Sequence, residues 1–197
     1  MVEMMTLTFD EQLDALVAGG VAVDEGVLRE AAEVARLPDA PTCSILTPSR
    51  DLIPVAVAAA CVERRGRPVV LGHLEPRELD TFVPIDALDL PGASVYMAID
   101  VDLGAASRNV RPEDALRNIL SAGRSPLTLE EGVALMLQQP EAIATNWGFS
   151  MAGSRRGDQR VPAFWVSDGR PKLGWCWDRN PHTWLGTASC AGRSAVL

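Results

Sequence analysis

Between Arg160 and Asp178 the chain reads RVPAFWVSDGRPKLGWCWD, and this stretch restricts the fold more than any other. Two runs rich in β-branched and aromatic residues flank the turn DGRP, which predicts an antiparallel hairpin. WLGTASC, at 184–190, supplies a third strand. From about Asn146 onward such runs alternate with glycine-rich turns, so the chain is expected to end as sheet.

Ahead of that sheet the signals are helical. Thr8 and Glu11 have capping-box spacing, with Phe9, Leu13, Leu16 and Val17 at helical intervals and Gly19-Gly20 as a stop. A second helix is expected over Glu25 to Arg36, ended by Pro38. CSILT, an apolar helix capped by Ser49 and ending at ERRG, and PVVLG then read as one parallel strand–helix–strand crossover. SVYMAIDVD alternates, which predicts a half-buried strand ending in Asp100 and Asp102, with Arg108 and Arg111 near enough to neutralise them. RPEDALRNILSAGR reads as a helix ended by Gly123, and TLEEGVALMLQQP as another, capped by Thr128 and Glu131 and closed by Pro140. The expected fold class is α+β: helices and a small mixed α/β part followed by a C-terminal antiparallel β-sheet. Residues 1–197 are expected to form a single domain, with a subdivision into a helical and mixed part, 1–145, and a Trp-rich sheet, 146–197.

Charge and cysteine usage exclude several function classes. The net charge of −8 disfavours nucleic acid, whose binding draws its affinity from clustered Lys and Arg. From residue 150 onward seven basic residues face three acidic ones, a surplus of four that leaves −12 for the rest. Docking of the basic C-terminal part on the acidic remainder accounts for this simply; an anion-binding face is the sharper alternative. The four cysteines lack C-x-x-C spacing, and MVEMMTLTFDEQ lacks the basic and apolar regions of a signal peptide, so a cytoplasmic chain with reduced thiols is expected. LIPVAVAAACV, at eleven residues, is the longest apolar stretch, well short of the ~20 of a spanning helix.

The strings NVRPEDAL, GRSPLTLEEGVAL, GDQRVPAFWVS, GRPKLGWCW and NPHTWLGTAS together resemble an actinobacterial family catalogued as a domain of unknown function. The resemblance covers most of the chain from about residue 80 and is weaker before it, with residues 40–75 departing from the pattern. It implies a compact cytosolic protein and carries no activity, cofactor or catalytic residue.

Candidate chemistry concentrates in LGWCWDRNPHTWLGTASC, residues 173–190, which holds three of five tryptophans, two of four cysteines and one of two histidines. Cys176, His182 and Cys190 are chemically suited to zinc, but C-x5-H-x7-C matches no common knuckle, and no metal or other cofactor is expected. GFSMA at 148–152 is one residue away from a nucleophile elbow, yet GSRRGDQR follows Ser150 where a helix is required. Strand alternation puts Leu173, Trp175 and Trp177 on one face and Gly174, Cys176 and Asp178 on the other. Asn180 and Pro181 form a turn presenting His182 beside Asp178 and Trp184.

The reading is a small-molecule-binding protein, with Trp175, Trp177 and Trp184 as an aromatic wall. Asn180 is a further expected ligand-binding residue. If the protein is an enzyme, His182 is its acid/base, oriented by Asp178, and Arg155 or Arg160 holds an anionic ligand. The expected partner is that small anion, with no nucleic acid, no membrane and room for a homo-oligomer. A hydrophobic core with a structural histidine at its rim is the simpler alternative. A non-enzymatic interaction module using an exposed Trp-rich sheet face is the functional one.

Overall fold

The computed structural model describes residues 4–21, 23–37 and 41–195. Its helices are α1 (Phe9–Ala18), α2 (Glu25–Ala32), α3 (Val55–Ala60), α4 (Pro76–Leu79), α5 (Pro112–Ser121) and α6 (Leu129–Gln138). The strands of the first half are β1 (Ile45–Pro48), β2 (Glu63–Arg64), β3 (Arg67–Pro68), β4 (Val70–Leu71), β5 (Val83–Pro84) and β6 (Val95–Ile99). Those of the second are β7 (Ser125–Pro126), β8 (Gly148–Ser150), β9 (Ser154–Arg155), β10 (Arg160–Ser167), β11 (Arg170–Trp177), β12 (Leu185–Thr187), β13 (Ser189–Cys190) and β14 (Gly192–Ser194). The fold is a mixed α+β one, and no helix among the described residues is long and apolar enough to cross a membrane.

The hairpin forms around Asp168 and Gly169, whose φ values of 53° and 71° match the right-handed twist of the flanking strands. Ser167 pairs with Arg170 and the register runs down to Arg160 opposite Trp177. This hairpin is the centre of a five-stranded sheet ordered β12-β8-β10-β11-β4. A three-stranded antiparallel sheet, β1-β6-β14, forms the second layer. Strand pairings cross residue 145 in both: β14 joins β6, and β4 joins β11.

Helix α6 lies between these sheets. It is buried along nearly its whole length, its polar residues Glu130, Glu131 and Gln138 included. Gly132 lets it close on the five-stranded sheet, since a Cβ there would stand 2.0 Å from the Met151 sulfur. Its two glutamates are each matched. Glu130 pairs with Arg50, and Glu131 accepts from Arg193 at 2.5 and 2.9 Å and from the Tyr96 hydroxyl at 3.2 Å. On the other side of the three-stranded sheet, Leu13, Leu16 and Leu28 of α1 and α2 pack on Leu46, Val95 and Met97.

The capping boxes of Thr8 with Glu11 and of Thr128 with Glu131 are present. The second helix stops at Ala32 and tightens into a 3₁₀ turn over Glu33–Ala35; Pro38 lies outside the described residues.

Five local expectations are corrected. The strand–helix–strand crossover does not form, because ERRGRP does not end a helix. It makes its own hairpin, β2–β3, with Arg65 and Gly66 at φ 53° and 72°. That redirects the chain, so β1 runs antiparallel to β6 while β4 runs parallel to β11 in the other sheet. The C-terminal sheet is mixed rather than antiparallel, since the long path from 178 to 184 brings β12 in parallel to β8. WLGTASC divides at Ala188, and β13 pairs instead with β7. Strand β6 is buried on both faces, having α-helices over each, and Asp100 pairs with Arg124 at 2.8 Å rather than with Arg108 or Arg111.

Candidate functional site

The cross-strand register gives the β10–β11 hairpin two unlike faces. Phe164 and Leu173 enter the main core, where the rings of Phe149 and Phe164 meet at a 42° tilt with centroids 5.9 Å apart. On the opposite face, Val161, Ala163 and Cys176 join Ala152 and Leu185 in a smaller cluster, against which Leu116, Trp165 and Trp184 pack. A cleft of about 230 Å³ opens beside this smaller cluster. Its aromatic lining is Trp165, Trp175, Trp177, Trp184 and His182, and Cys176, Asn180 and Leu185 are among the rest.

The aromatic groups are mutually braced. Trp165 and Trp184 lie 6.0 Å apart at 58°, and His182 lies 5.1 Å from Trp184 at 45°. Trp175 and Trp177 meet edge to face at 4.7 Å, a geometry that aligns ring edges with π faces. The Trp175 indole N–H donates to the His73 carbonyl oxygen at 3.3 Å. Two cations stand over this set: Arg160 over Trp175 at 4.7 Å and the Lys172 ammonium over Trp165 at 5.9 Å.

Glycine at 174 makes room for Trp165, which lines the cleft. A Cβ on Gly174 would lie 2.5 Å from the Trp165 ring and 2.9 Å from the Gly72 carbonyl oxygen. Only glycine lets that indole come so close to β11.

The titratable groups differ in state. Burial lowers the His182 pKa below that of a free imidazole, which favours the neutral ring near pH 7. Burial pushes the Cys176 thiol up to about 12, and Arg155 only partly opposes that, so Cys176 is a protonated packing residue. Burial also lowers the Arg155 pKa, against the opposing pull of Asp178 and Cys176. Asp178 Oδ1 is buried with no hydrogen-bond partner among the described residues.

Of the residues singled out from sequence, Trp175, Trp177, Trp184, His182 and Asn180 come together on the cleft. Arg160 adjoins it through Trp175. Arg155 and Asp178 do not line it. Arg155 donates to the Ala152 and Ser154 carbonyl oxygens at 2.9 and 3.2 Å. The Asp178 backbone is tied to Gln159 and Glu113, and among the described residues no hydrogen bond joins its carboxylate to His182. Trp165 and Lys172 are the members that the sequence reading missed. The Asp168-Gly169 turn could have found both, since counting back from it pairs Trp165 with Lys172 on the face of Gly174 and Cys176.

The remaining candidates have structural partners. Ser150 donates to the Gly186 carbonyl oxygen at 3.2 Å and lies 3.1 Å from the Thr187 hydroxyl. Cys190 sits in the main core, away from Cys176 and His182. Asp102 accepts from the Gly104 amide at 2.7 Å. Arg156, Arg179 and Arg193 each reach an acid ahead of residue 150, namely Glu78, Glu113 and Glu131, which is how part of the basic surplus is used.

A model of one family, described as a Family of unknown function (DUF5701), matches residues 12–196. The match extends well ahead of residue 80, through the segment where the resemblance read from sequence was weak. No curated protein and no solved structure matches the chain.

Proposed function

The chain belongs to that family of unknown function, whose description assigns no activity, and from the cleft we propose that it is a small-molecule-binding protein. The carrying observation is the convergence of four indoles and a half-buried imidazole on one concave site of about 230 Å³. Pockets that combine apolar walls with a few polar groups are where small ligands bind. A planar ligand fits between such rings, Arg160 and Lys172 favour an anionic one, and Asn180 offers an amide at the rim. If the protein is an enzyme, neutral His182 is the group that takes a proton, and it does so without Asp178 as an orienting partner. A cytoplasmic setting belongs to the same reading, in keeping with the thiols of Cys61, Cys176 and Cys190.

The test is calorimetric titration with 1-naphthoate and with its neutral counterpart, 1-naphthamide. Saturable binding of naphthoate, weaker binding of the amide, and loss of naphthoate binding in Trp184→Ala and Arg160→Ala are expected. If His182→Ala and Arg160→Ala bind as the parent does while folded, the proposal fails.

A second reading draws on Trp177, which is 45% exposed. In it the Trp-rich face docks a protein partner, a second copy included. Quenching of tryptophan fluorescence by a bulky solute separates the two, being strong for a flat interface and weak for an enclosed cleft.

A further inference from the structure

The tryptophan cleft leaves the arginine-rich β2–β3 hairpin without a role. That hairpin, the 144–145 segment and the tip of β10–β11 enclose a groove of about 580 Å³ lined by Arg64, Arg65, Arg67, Thr145 and Val166. The groove shares no lining residue with the cleft. Two of the three guanidiniums reach a carboxylate, Glu141, which accepts from Arg64 at 2.6 Å and from Arg65 at 2.8 Å through both of its oxygens. The Arg65 fork holds the Glu141 carboxyl below the usual range.

Positive charge remains after that pairing. Among the described residues Arg67 forms no ion pair, and its Nη1 donates only to the Asp168 carbonyl oxygen at 3.0 Å. Arg170, which donates to the neighbouring Pro68 carbonyl oxygen at 3.3 Å, forms none either. The Asp168 carboxylate accepts from its own neighbour, the Ser167 hydroxyl, at 3.2 Å. Behind them, the Arg64 side chain is only 6% exposed, and its Nε has no hydrogen-bond partner. Arg64 is neutralised by Glu141, and Arg67 is the groove guanidinium whose charge no carboxylate of the described residues answers.

We infer that this groove binds a small polyanion of the diphosphate class. Guanidinium forks match phosphoryl oxygens in shape and charge, and the bidentate hold of Arg65 on Glu141 is already the geometry that an oxyanion requires. The overall charge of −8 repels a long polyanion such as nucleic acid, which leaves a small molecule as the occupant. Arg67 is the principal ligand, Arg65 the second, and Glu141 the competing internal anion.

The experiment is calorimetric titration of the full chain with inorganic pyrophosphate at low ionic strength, with citrate as the carboxylate arm. Saturable 1:1 binding that weakens with salt is expected. Arg67→Gln should weaken it roughly tenfold or more, and Glu141→Gln should tighten it. Arg36→Gln, on the distant α2 side, should change nothing. Absence of saturable binding, an Arg67→Gln affinity equal to the parent's, or citrate binding as tightly as pyrophosphate overturns the inference.

Discussion

Gly174→Ala isolates the contact that shapes the cleft. The added methyl would lie 2.5 and 3.1 Å from two Trp165 ring carbons and 2.9 Å from the Gly72 carbonyl oxygen. The backbone at Gly174 is not left-handed, so the substitution carries no φ strain, and its effect is steric. The indole can tilt, but Gly72 is held by its amide, which donates to Leu173 at 2.8 Å. Overpacking of this kind costs about 1–3 kcal/mol, and stiffening the unfolded chain returns about 0.4–1 kcal/mol. The net loss should be about 1–2 kcal/mol. Tilting Trp165 also breaks its register with Trp184, now 6.0 Å away. Urea unfolding followed by fluorescence gives the stability, and near-ultraviolet circular dichroism reports the indole environment. A variant as stable as the parent with an unchanged near-ultraviolet spectrum would refute the claim that glycine makes room for Trp165.

Further outcomes are expected elsewhere in the molecule. Arg193→Met strips the buried Glu131 of its ion-pair partner; about 3–5 kcal/mol should be lost. Adding Glu131→Gln should recover part of that in a denaturation double-mutant cycle. Cys176 and Cys190, raised by burial to about 12 and about 11, should resist iodoacetamide at pH 8 in the native protein and label once it is unfolded, as read by mass spectrometry. The His182 ring should titrate below an unfolded-state imidazole in proton NMR, and Trp184→Ala should move it back up by exposing it. Its folded pKa being the lower one, the associated stability is present above the unfolded pKa and declines as pH falls through the folded one.

Much of the fold was legible where local chemistry decides the outcome. The capping boxes at Thr8 and Thr128 and the Asp168-Gly169 turn form as their residues dictate, because each needs only neighbours within a few positions. Strand partners were not legible in the same way. Val70 and Leu71 carry no mark of the sheet they join, and the deciding residues were Arg65 and Gly66, whose turn sends them there. The burial of β6 on both faces follows from helices more than thirty residues apart in sequence, α1 and α6, closing over it. In the site, the aromatic cluster was visible as a density of tryptophan, while the separation of Asp178 from His182 depends on the path of residues 178–184. That path is fixed by long-range bonds, such as the one from the Asn109 amide to the His182 carbonyl oxygen at 2.8 Å.

The cleft is most directly tested by the five indole N–H signals in a ¹⁵N correlation spectrum, each assigned by a Trp→Phe variant, during titration with 1-naphthoate. Signals of Trp165, Trp175, Trp177 and Trp184 should shift and saturate together while Trp147, which does not line the cleft, stays in place. Five stationary signals, or movement of Trp147 alone, would contradict the assignment of the cleft as the binding site.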